Sequence, residues 1–543
     1  MFVSSTLAAV LVAGIAPGCR RAEQPREARP AIEEPPARPA ELVAEIVVPR
    51  AGEAWTAIRP LLGAAGAFFA VGPELSLSSL FGMGPLAAGS FDLSRPVVGG
   101  VVVVAGSPSL VVAAPLVSGP ELVARLTTGA SATHTARKAG ALLHLDAAGE
   151  RRAERSIAVI DDVVLLGPAA ALAVAGPYLG RGLARAPASG PPALVLRGPA
   201  LRERVVPALR AAWQRRRDAL AQSAHALEQA RGRPADFAEP EVLLAAVDSV
   251  VGEVLSVVES AQEARIELVA DKDHVRFELR LLGARLENAA RLLPTASAES
   301  RELLTELPAS AVFSLRTRRG ADAPSTGLPP FVQDLFGDRL PPATARAVDS
   351  TWAALDRARG SEQALALLED GTVMWTGTVV DGPALRTAIG EAVRHAARPP
   401  FVEPFTARLG RVLDVREERS ASGSGTAPRR FRVRFAGQPP AASGTTVHVT
   451  AHVEAERFTV LLAPDRSAPT VPSSPDPARA SLLRAIEPSR AVAALVDLAA
   501  FGAAPRGSPA LCALALGRDA DELRLTVALS SRASAALTRG VFE

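Results

Sequence analysis

Two histidines of the chain have a spacing that suits a metal site. His448 and His452 are four residues apart, which places two ligands on one face of a helix. Residues 447–453, however, alternate apolar and polar side chains and therefore predict a strand. Four residues of a strand span about 13 Å, which is too far for both imidazole rings to bind one metal ion. We expect these histidines on the solvent face of a sheet, and we predict no metal site.

Pairs of acidic residues are the second arrangement with catalytic potential. They occur at residues 161–162 and 417–418 and at Asp519 and Asp521, each at a predicted turn or strand end. Aspartate is favoured in turns because its side chain bonds the backbone, so turn formation alone explains these pairs. The chain contains no Gly-x-Ser-x-Gly nucleophile motif and no phosphate-binding Gly-Lys-Ser/Thr motif. We therefore predict no catalytic residue and no cofactor.

Positive charge is concentrated in residues 197–217, where seven arginines accompany a single acidic residue, Glu203. Apolar residues recur here at helical spacing, so part of the arginine set should form one face of a helix. Such a face can contact anionic lipid headgroups or cell-wall polymers, and the alternative is an ordinary solvated helix surface. The residues that we predict to contact an anionic surface are Arg202, Arg210, Arg215, Arg216 and Arg217.

The N-terminus has the pattern of an export leader. Residues 2–18 contain no charge and include the apolar run 7–15, which is too short for a membrane span. The segment Ala16-Pro-Gly-Cys19 resembles the lipobox of bacterial lipoprotein precursors, in which an aliphatic and two small residues precede a lipidated cysteine. Ala16 is small for the aliphatic position, and no basic residue precedes the apolar run. The alternatives are an uncleaved anchor and a misassigned start codon.

The resemblance implies a signal peptide at residues 1–18, lipid on Cys19, and a body attached to a membrane and facing the periplasm. An Asp after the lipidated cysteine often signals retention in the inner membrane, and Arg20 stands there, which favours the outer membrane. Residues 19–40 are rich in Arg, Glu, Pro and Ala and should form a disordered tether. Nucleic acid is not an expected partner, because this compartment lacks it and aromatic residues are not interleaved with the arginines.

Composition limits the chemistry further. Of the 543 residues 48% are hydrophobic and only 4% aromatic, so the core must consist mainly of Ala, Val and Leu. Lysine occurs only at Lys138 and Lys272, which disfavours Schiff-base chemistry. Two cysteines are too few for a disulfide framework, and Cys512 lies in an apolar strand pattern typical of a small buried residue.

Segments of the first half of the chain resemble segments of the second half, in the same order. Residues 111–123, 157–168 and 265–279 match 374–386, 450–464 and 513–527, and a fourth match, 303–315 with 482–495, breaks this order. The second and third pairs read as β-hairpins and the first as a strand followed by a helix. We therefore predict an α+β fold of two homologous units, residues 41–283 and 301–543, joined by a linker at 284–300.

The first unit contains a segment that the second lacks. Residues 199–231 and 239–262 each show a helical apolar stripe, and Arg231-Gly-Arg-Pro234 separates them. We predict a helical-hairpin insertion over residues 199–262. The first stripe includes Leu201, Leu209 and Leu220. This insertion is either additional core or a specialised binding element.

The strand–helix layout behind a leader is similar to exported bacterial proteins, myxobacterial-like, of the domain-of-unknown-function 3352 type. Such families have no known activity, so this resemblance implies no site residue. Two functions remain: a non-catalytic envelope lipoprotein that binds another protein or a polymer, and a periplasmic carrier of a lipid or other apolar ligand. A cavity lined by Val, Leu and Phe would favour the carrier, whereas a filled core with exposed Arg and apolar helix surface would favour the binding protein. An enzyme is third.

Overall fold

A computed structural model gives the arrangement of most of the chain. The structure describes residues 36–58, 72–129, 132–147, 156–231, 240–271, 273–284, 303–319, 342–396, 412–418, 428–435, 446–464, 477–486, 491–500, 509–519 and 522–542. Cys19, the leader, most of the tether and residues 285–300 of the predicted linker lie outside these residues.

The described residues form an α+β fold, as the sequence predicts. The strands are β1 Leu42–Val48, β2 Val97–Val104, β3 Ser107–Pro115, β4 His134–Ala139, β5 Leu142–Ala147, β6 Ser156–Ile160, β7 Val163–Gly167, β8 Ala193–Arg197, β9 Glu263–Ala270, β10 His274–Leu282, β11 Ala311–Arg318, β12 Arg359–Leu368, β13 Val373–Val379, β14 Val412–Glu418, β15 Arg429–Phe435, β16 Thr446–Val453, β17 Arg457–Ala463, β18 Val492–Asp497, β19 Leu511–Asp519 and β20 Glu522–Ser530.

The α-helices among the described residues are α1 Ala51–Ile58, α2 Pro73–Leu80, α3 Gly119–Thr127, α4 Ala169–Pro177, α5 Gly198–Ala200, α6 Val206–Arg231, α7 Pro240–Ser260, α8 Pro342–Ala358, α9 Gly382–Ala396, α10 Pro477–Ala485 and α11 Ser531–Phe542. Short 3-10 and π turns add Pro85–Ser90, Tyr178–Gly182, Leu183–Arg185 and Leu201–Val205. The predicted helical hairpin is thus present as α6 and α7, and the predicted hairpins at 157–168 and 450–464 are β6–β7 and β16–β17.

All these strands join one antiparallel sheet. Its order is β4-β5-β6-β7-β3-β2-β1-β8-β9-β10 in one half and, continuing across, β20-β19-β18-β11-β12-β13-β17-β16-β15-β14 in the other. Strands β1–β10 fill the first half and β11–β20 the second. The halves meet where β10 pairs with β20 along its whole length, a junction that we call the seam.

Helices cover both faces of the sheet. Strands that are buried on both sides are apolar at successive residues, as they are here. In β7, Val164 and Leu166 pack with α1, α2 and α3, whereas Val163 and Leu165 pack with α4 on the opposite face. In the second half, α8 and α9 pack on one face of β15–β17, and α10 packs on the opposite face of the sheet.

Candidate functional site

The helical hairpin is attached to the sheet beside the seam. Leu201, shortly before α6, is 1% exposed. It packs with Ala261 and Ala264, where the chain leaves α7 and enters β9. Leu281 of β10 belongs to the same cluster, and Leu523 of β20 packs against it. The base of the hairpin is therefore part of the hydrophobic core, as the alternative of additional core expects.

Beyond its base the hairpin is held by contacts between its own two helices. Asp248 of α7 accepts a hydrogen bond from Trp213 Nε1 at 2.6 Å, and its other oxygen lies 2.7 Å from Arg217 Nε. Arg210 Nη2 lies 3.5 Å from Glu259 Oε2. Two of the five arginines that the sequence assigns to an anionic surface are thus engaged within the hairpin.

The other three, Arg202, Arg215 and Arg216, are exposed. Among the described residues, no acidic side chain lies within ion-pair distance of them, and Arg204 is exposed as well. Large apolar side chains of the hairpin are exposed as well. Leu209 and Leu220, which the sequence places on a buried stripe, are each 38% exposed, and Val254 of α7 is 56% exposed. The outer hairpin therefore presents arginines and large aliphatic side chains together, an amphipathic surface suited to binding.

A second group of charged side chains lies at the seam and was not identified from the sequence. On one face of β9, β10 and β20, Arg280 contacts Glu278 at 2.9 Å, Glu267 at 3.3 Å and Glu522 at 3.7 Å. Arg524 lies 3.2 Å from Glu278. Burial is the largest single influence on the pKa of Arg280 and lowers it, but the three carboxylates around Arg280 together outweigh burial, so this pKa is raised. The alternation of residues 276–281 predicts this polar face, but not the strands that meet there.

Most other residues with catalytic potential have structural partners. Asp161 occupies the β6–β7 turn with φ of 50° and receives Arg181 at 3.1 Å and Arg185 at 2.7 Å. Asp162 accepts a hydrogen bond from the backbone N–H of Gly119 at 3.0 Å. Glu417 lies 2.7 Å from Arg429. These contacts explain the acidic residues at turns and strand ends without catalysis.

The remaining candidates give the same result. His448 and His452 lie on strand β16, as predicted, and His452 is exposed. Cys512 is partly buried in β19, and burial raises the pKa of its thiol, which disfavours the reactive thiolate at neutral pH.

The pKa of His144, on β5, is displaced from its ordinary value. Desolvation by burial lowers this pKa first, the nearby Arg137 lowers it further, and Asp146 opposes both effects. The folded protein therefore resists a proton that the unfolded chain accepts near pH 6.5. We expect the contribution of His144 to the free energy of unfolding to be complete above that pH and to be lost as the pH drops below it. Urea titrations between pH 7.5 and 5 will measure this loss.

The control for this titration is Leu86→Gln, because Leu86 is 84% exposed and has no titratable side chain. His144→Gln should reduce the pH dependence of stability, whereas Leu86→Gln should leave the wild-type slope unchanged. Equal slopes for all three proteins would show that His144 does not contribute.

Among the residues that the structure describes, no helix is long and apolar enough to cross a membrane. In the same part of the chain, no three His, Cys, Asp or Glu side chains are grouped as metal ligands would be. The candidate site that emerges from the geometry is therefore the outer surface of the helical hairpin. No protein-family model, curated protein or solved structure matches this chain.

Proposed function

We propose that this protein is a non-catalytic lipoprotein of the bacterial cell envelope, anchored through Cys19, whose helical hairpin binds an anionic surface. The observation that supports this function is the combination of Arg202, Arg215 and Arg216 with exposed Leu209 and Leu220 on one projecting element. Cationic groups attract anionic headgroups, and aliphatic side chains enter the boundary below them. Arg210 and Arg217 contribute by fixing the two helices to each other.

We further propose that the chain arose by internal duplication, with the hairpin added to one copy. The strand order supports this, because each strand of the second half occupies the place of the strand ten positions earlier in the first. The sequence match of 265–279 with 513–527 equates Glu278 with Thr526, and these two residues face each other at the centre of the seam. If a two-fold axis relates the halves, two equivalent residues must face each other at the axis, as Glu278 and Thr526 do. The hairpin connects β8 to β9 in the first half. The equivalent strands of the second half, β18 and β19, are connected by residues 498–510 only.

A second function, that of a carrier for an apolar ligand, is favoured by one observation on the sheet. Leu365 of β12 and Leu462 of β17 are each 38% exposed, and they lie on the same face as the partly exposed Phe313 and Val373. This apolar face would accept an acyl chain. Native mass spectrometry of residues 41–543, which lack Cys19, purified from a bacterial periplasm tests it, because a reproducible additional mass equal to a lipid would put the carrier first.

The hairpin function is tested by vesicle co-sedimentation. The mature chain with Cys19→Ser, which has neither leader nor lipid, should bind phosphatidylglycerol vesicles and not phosphatidylcholine vesicles. Each arginine near an anionic surface contributes about 1 kcal/mol, so Arg202→Gln/Arg215→Gln/Arg216→Gln should weaken binding by about two orders of magnitude. The matched control, Arg50→Gln/Arg357→Gln/Arg484→Gln, has the same charge change on exposed side chains of other elements and should remain within about twofold of wild type. Equal binding to both vesicles, or an unaffected hairpin variant, would exclude this function.

A further inference from the structure

A second cationic surface lies at the far edge of the second half of the sheet. Strand β15, sequence Arg-Arg-Phe-Arg-Val-Arg-Phe, places Arg430, Arg432 and Arg434 on one face, because alternate residues of a strand point to the same side. Successive members of this row are about 7 Å apart along the strand. We call these three residues the arginine row. Phe431 and Val433 point the other way, into the core under α8 and α9.

The strands on either side of the row differ in what they add to it. In β14, Arg416 lies directly opposite Arg432, whereas Asp414 lies opposite Arg434 and Glu418 opposite Arg430. In β16, His448 lies opposite Arg432, between Thr446 and Thr450. Arg416 and Arg432 are like charges in directly opposed positions, which repel each other, so this pair is destabilising when nothing binds it.

The two carboxylates of this face, Asp414 and Glu418, offset only part of the charge of its four arginines. Asp414 lies 2.6 Å from Arg416. In the described part of the chain, no acidic side chain lies within ion-pair distance of the arginine row, and Nε of Arg432 is buried without a hydrogen-bond partner. The joining loops, residues 419–427 and 436–445, contain no acidic residue in their sequence. The face therefore has an excess of guanidinium donors over carboxylates.

The opposite edge of the sheet has no such row. Its hairpin, β4–β5, carries Arg137 and Lys138 with one carboxylate, Asp146, which lies 3.5 Å from Arg137. The corresponding place in the second half has four arginines on one face. The row is thus a specific feature of one edge and not a general property of the sheet.

The chemistry of the row selects one kind of ligand. Guanidinium groups bind phosphates through paired hydrogen bonds, and the adjacent Thr446 and Thr450 of β16 supply hydroxyl groups. The row itself lacks the exposed leucines of the hairpin, so it is not built to enter a lipid layer. Phe431 faces away, so no aromatic ring of the row is available to stack a base.

We propose that the face formed by Arg416 and the arginine row binds a linear phosphate-bearing polymer that lies along β15, with successive phosphates on successive arginines. This site is separate from the helical hairpin and does not depend on the function proposed for it.

The test uses the full chain and a fluorescently labelled glycerol phosphate polymer, with Kd measured by anisotropy at increasing KCl concentration. Arg430→Gln/Arg432→Gln/Arg434→Gln should raise Kd at least tenfold. It should also reduce the slope of log Kd against log salt by about 2, since each lost phosphate contact on a single strand removes about 0.7. The control variant Arg50→Gln/Arg357→Gln/Arg484→Gln removes the same charge from exposed side chains of other elements and should stay within twofold of wild type.

Three results would overturn the proposal: no binding by the wild type, an equal loss in both triple variants, or tighter binding of an unstructured oligonucleotide than of the polymer. Circular dichroism will check that the row variant folds. The single variants Arg430→Gln and Arg434→Gln change exposed side chains and decide the question if it does not, because each should weaken binding by about threefold with a wild-type spectrum.

Discussion

Replacing Arg280 with methionine is expected to lower the free energy of unfolding by about 2–4 kcal/mol. Arg280 lies between three carboxylates, and two of them, Glu267 and Glu278, are only 7% and 6% exposed. Removing one partner of a buried ion pair leaves a desolvated charge, which is the costly case. The loss is smaller than that of an isolated pair, because Arg265 remains 2.7 Å from Glu267 and Arg524 remains 3.2 Å from Glu278.

The same substitution at Arg50 is the matched control. Arg50 lies 2.9 Å from Glu53, but both side chains are about two-thirds exposed, so Arg50→Met should cost less than about 1 kcal/mol. Urea unfolding followed by circular dichroism measures both. Glu278→Gln in the Arg280→Met background should recover part of the stability, because it removes one uncompensated carboxylate. An equal cost at Arg50 and Arg280, or no recovery, would mean that packing of the side chain and not charge is responsible.

Local features of this fold could be predicted from the sequence because local patterns determine them. The alternation of residues 157–168 determines β6 and β7, and the acidic residues between them form the turn. The apolar stripe of residues 239–262 corresponds to α7 Pro240–Ser260. The Gly-Pro dipeptides at 119–120 and 382–383 begin α3 and α9, where Pro is favoured because its missing N–H is not needed.

Long-range pairing could not be predicted in this way. Strands β10 and β20 are separated by most of the second half of the chain, and no local pattern indicates that they join. The contacts of Arg280 with Glu522 and of Arg524 with Glu278 follow only from that pairing. Helices α1 and α2 were also not predicted, since each has eight residues and a short helix gives a weak periodic signal.

The side chains of the proposed site differ from the rest of the chain in their exposure to solvent. The periodic spacing of apolar residues in the sequence does not determine that exposure. The stripe that contains Leu209 and Leu220 predicts buried residues, yet both are exposed, whereas Leu201 at its start packs against the sheet. Similarly, Arg217 has the same sequence environment as Arg216 but faces Asp248 of the neighbouring helix. The arginine row could have been found, because alternating Arg and apolar residues in 430–434 predict a strand with one cationic face.

Replacing Cys19 with serine is expected to abolish both lipid attachment to the protein and cleavage of its leader in a bacterial envelope. The lipobox-like segment Ala16-Pro-Gly-Cys19 provides one thiol for lipid, and serine has none. Metabolic labelling with an alkyne fatty acid, followed by membrane fractionation, will measure the change. The wild type should be labelled and recovered with membranes, whereas Cys19→Ser should be unlabelled and retain its leader. A single acyl chain binds membranes only marginally, so stable attachment also depends on a second chain or on the cationic hairpin.

Cys512→Ser is the control, because Cys512 is the only other cysteine of the chain. It is partly buried in β19, and the raised pKa of its thiol keeps it protonated, so it cannot replace Cys19 as an acceptor. Cys512→Ser should therefore keep the label, the cleaved leader and the membrane location. Retention of label in Cys19→Ser, or its loss in Cys512→Ser, would show that the chain is not a lipoprotein modified at Cys19. A cleaved but unlabelled wild type would instead indicate a secreted protein, in which the hairpin alone would have to provide contact with the membrane.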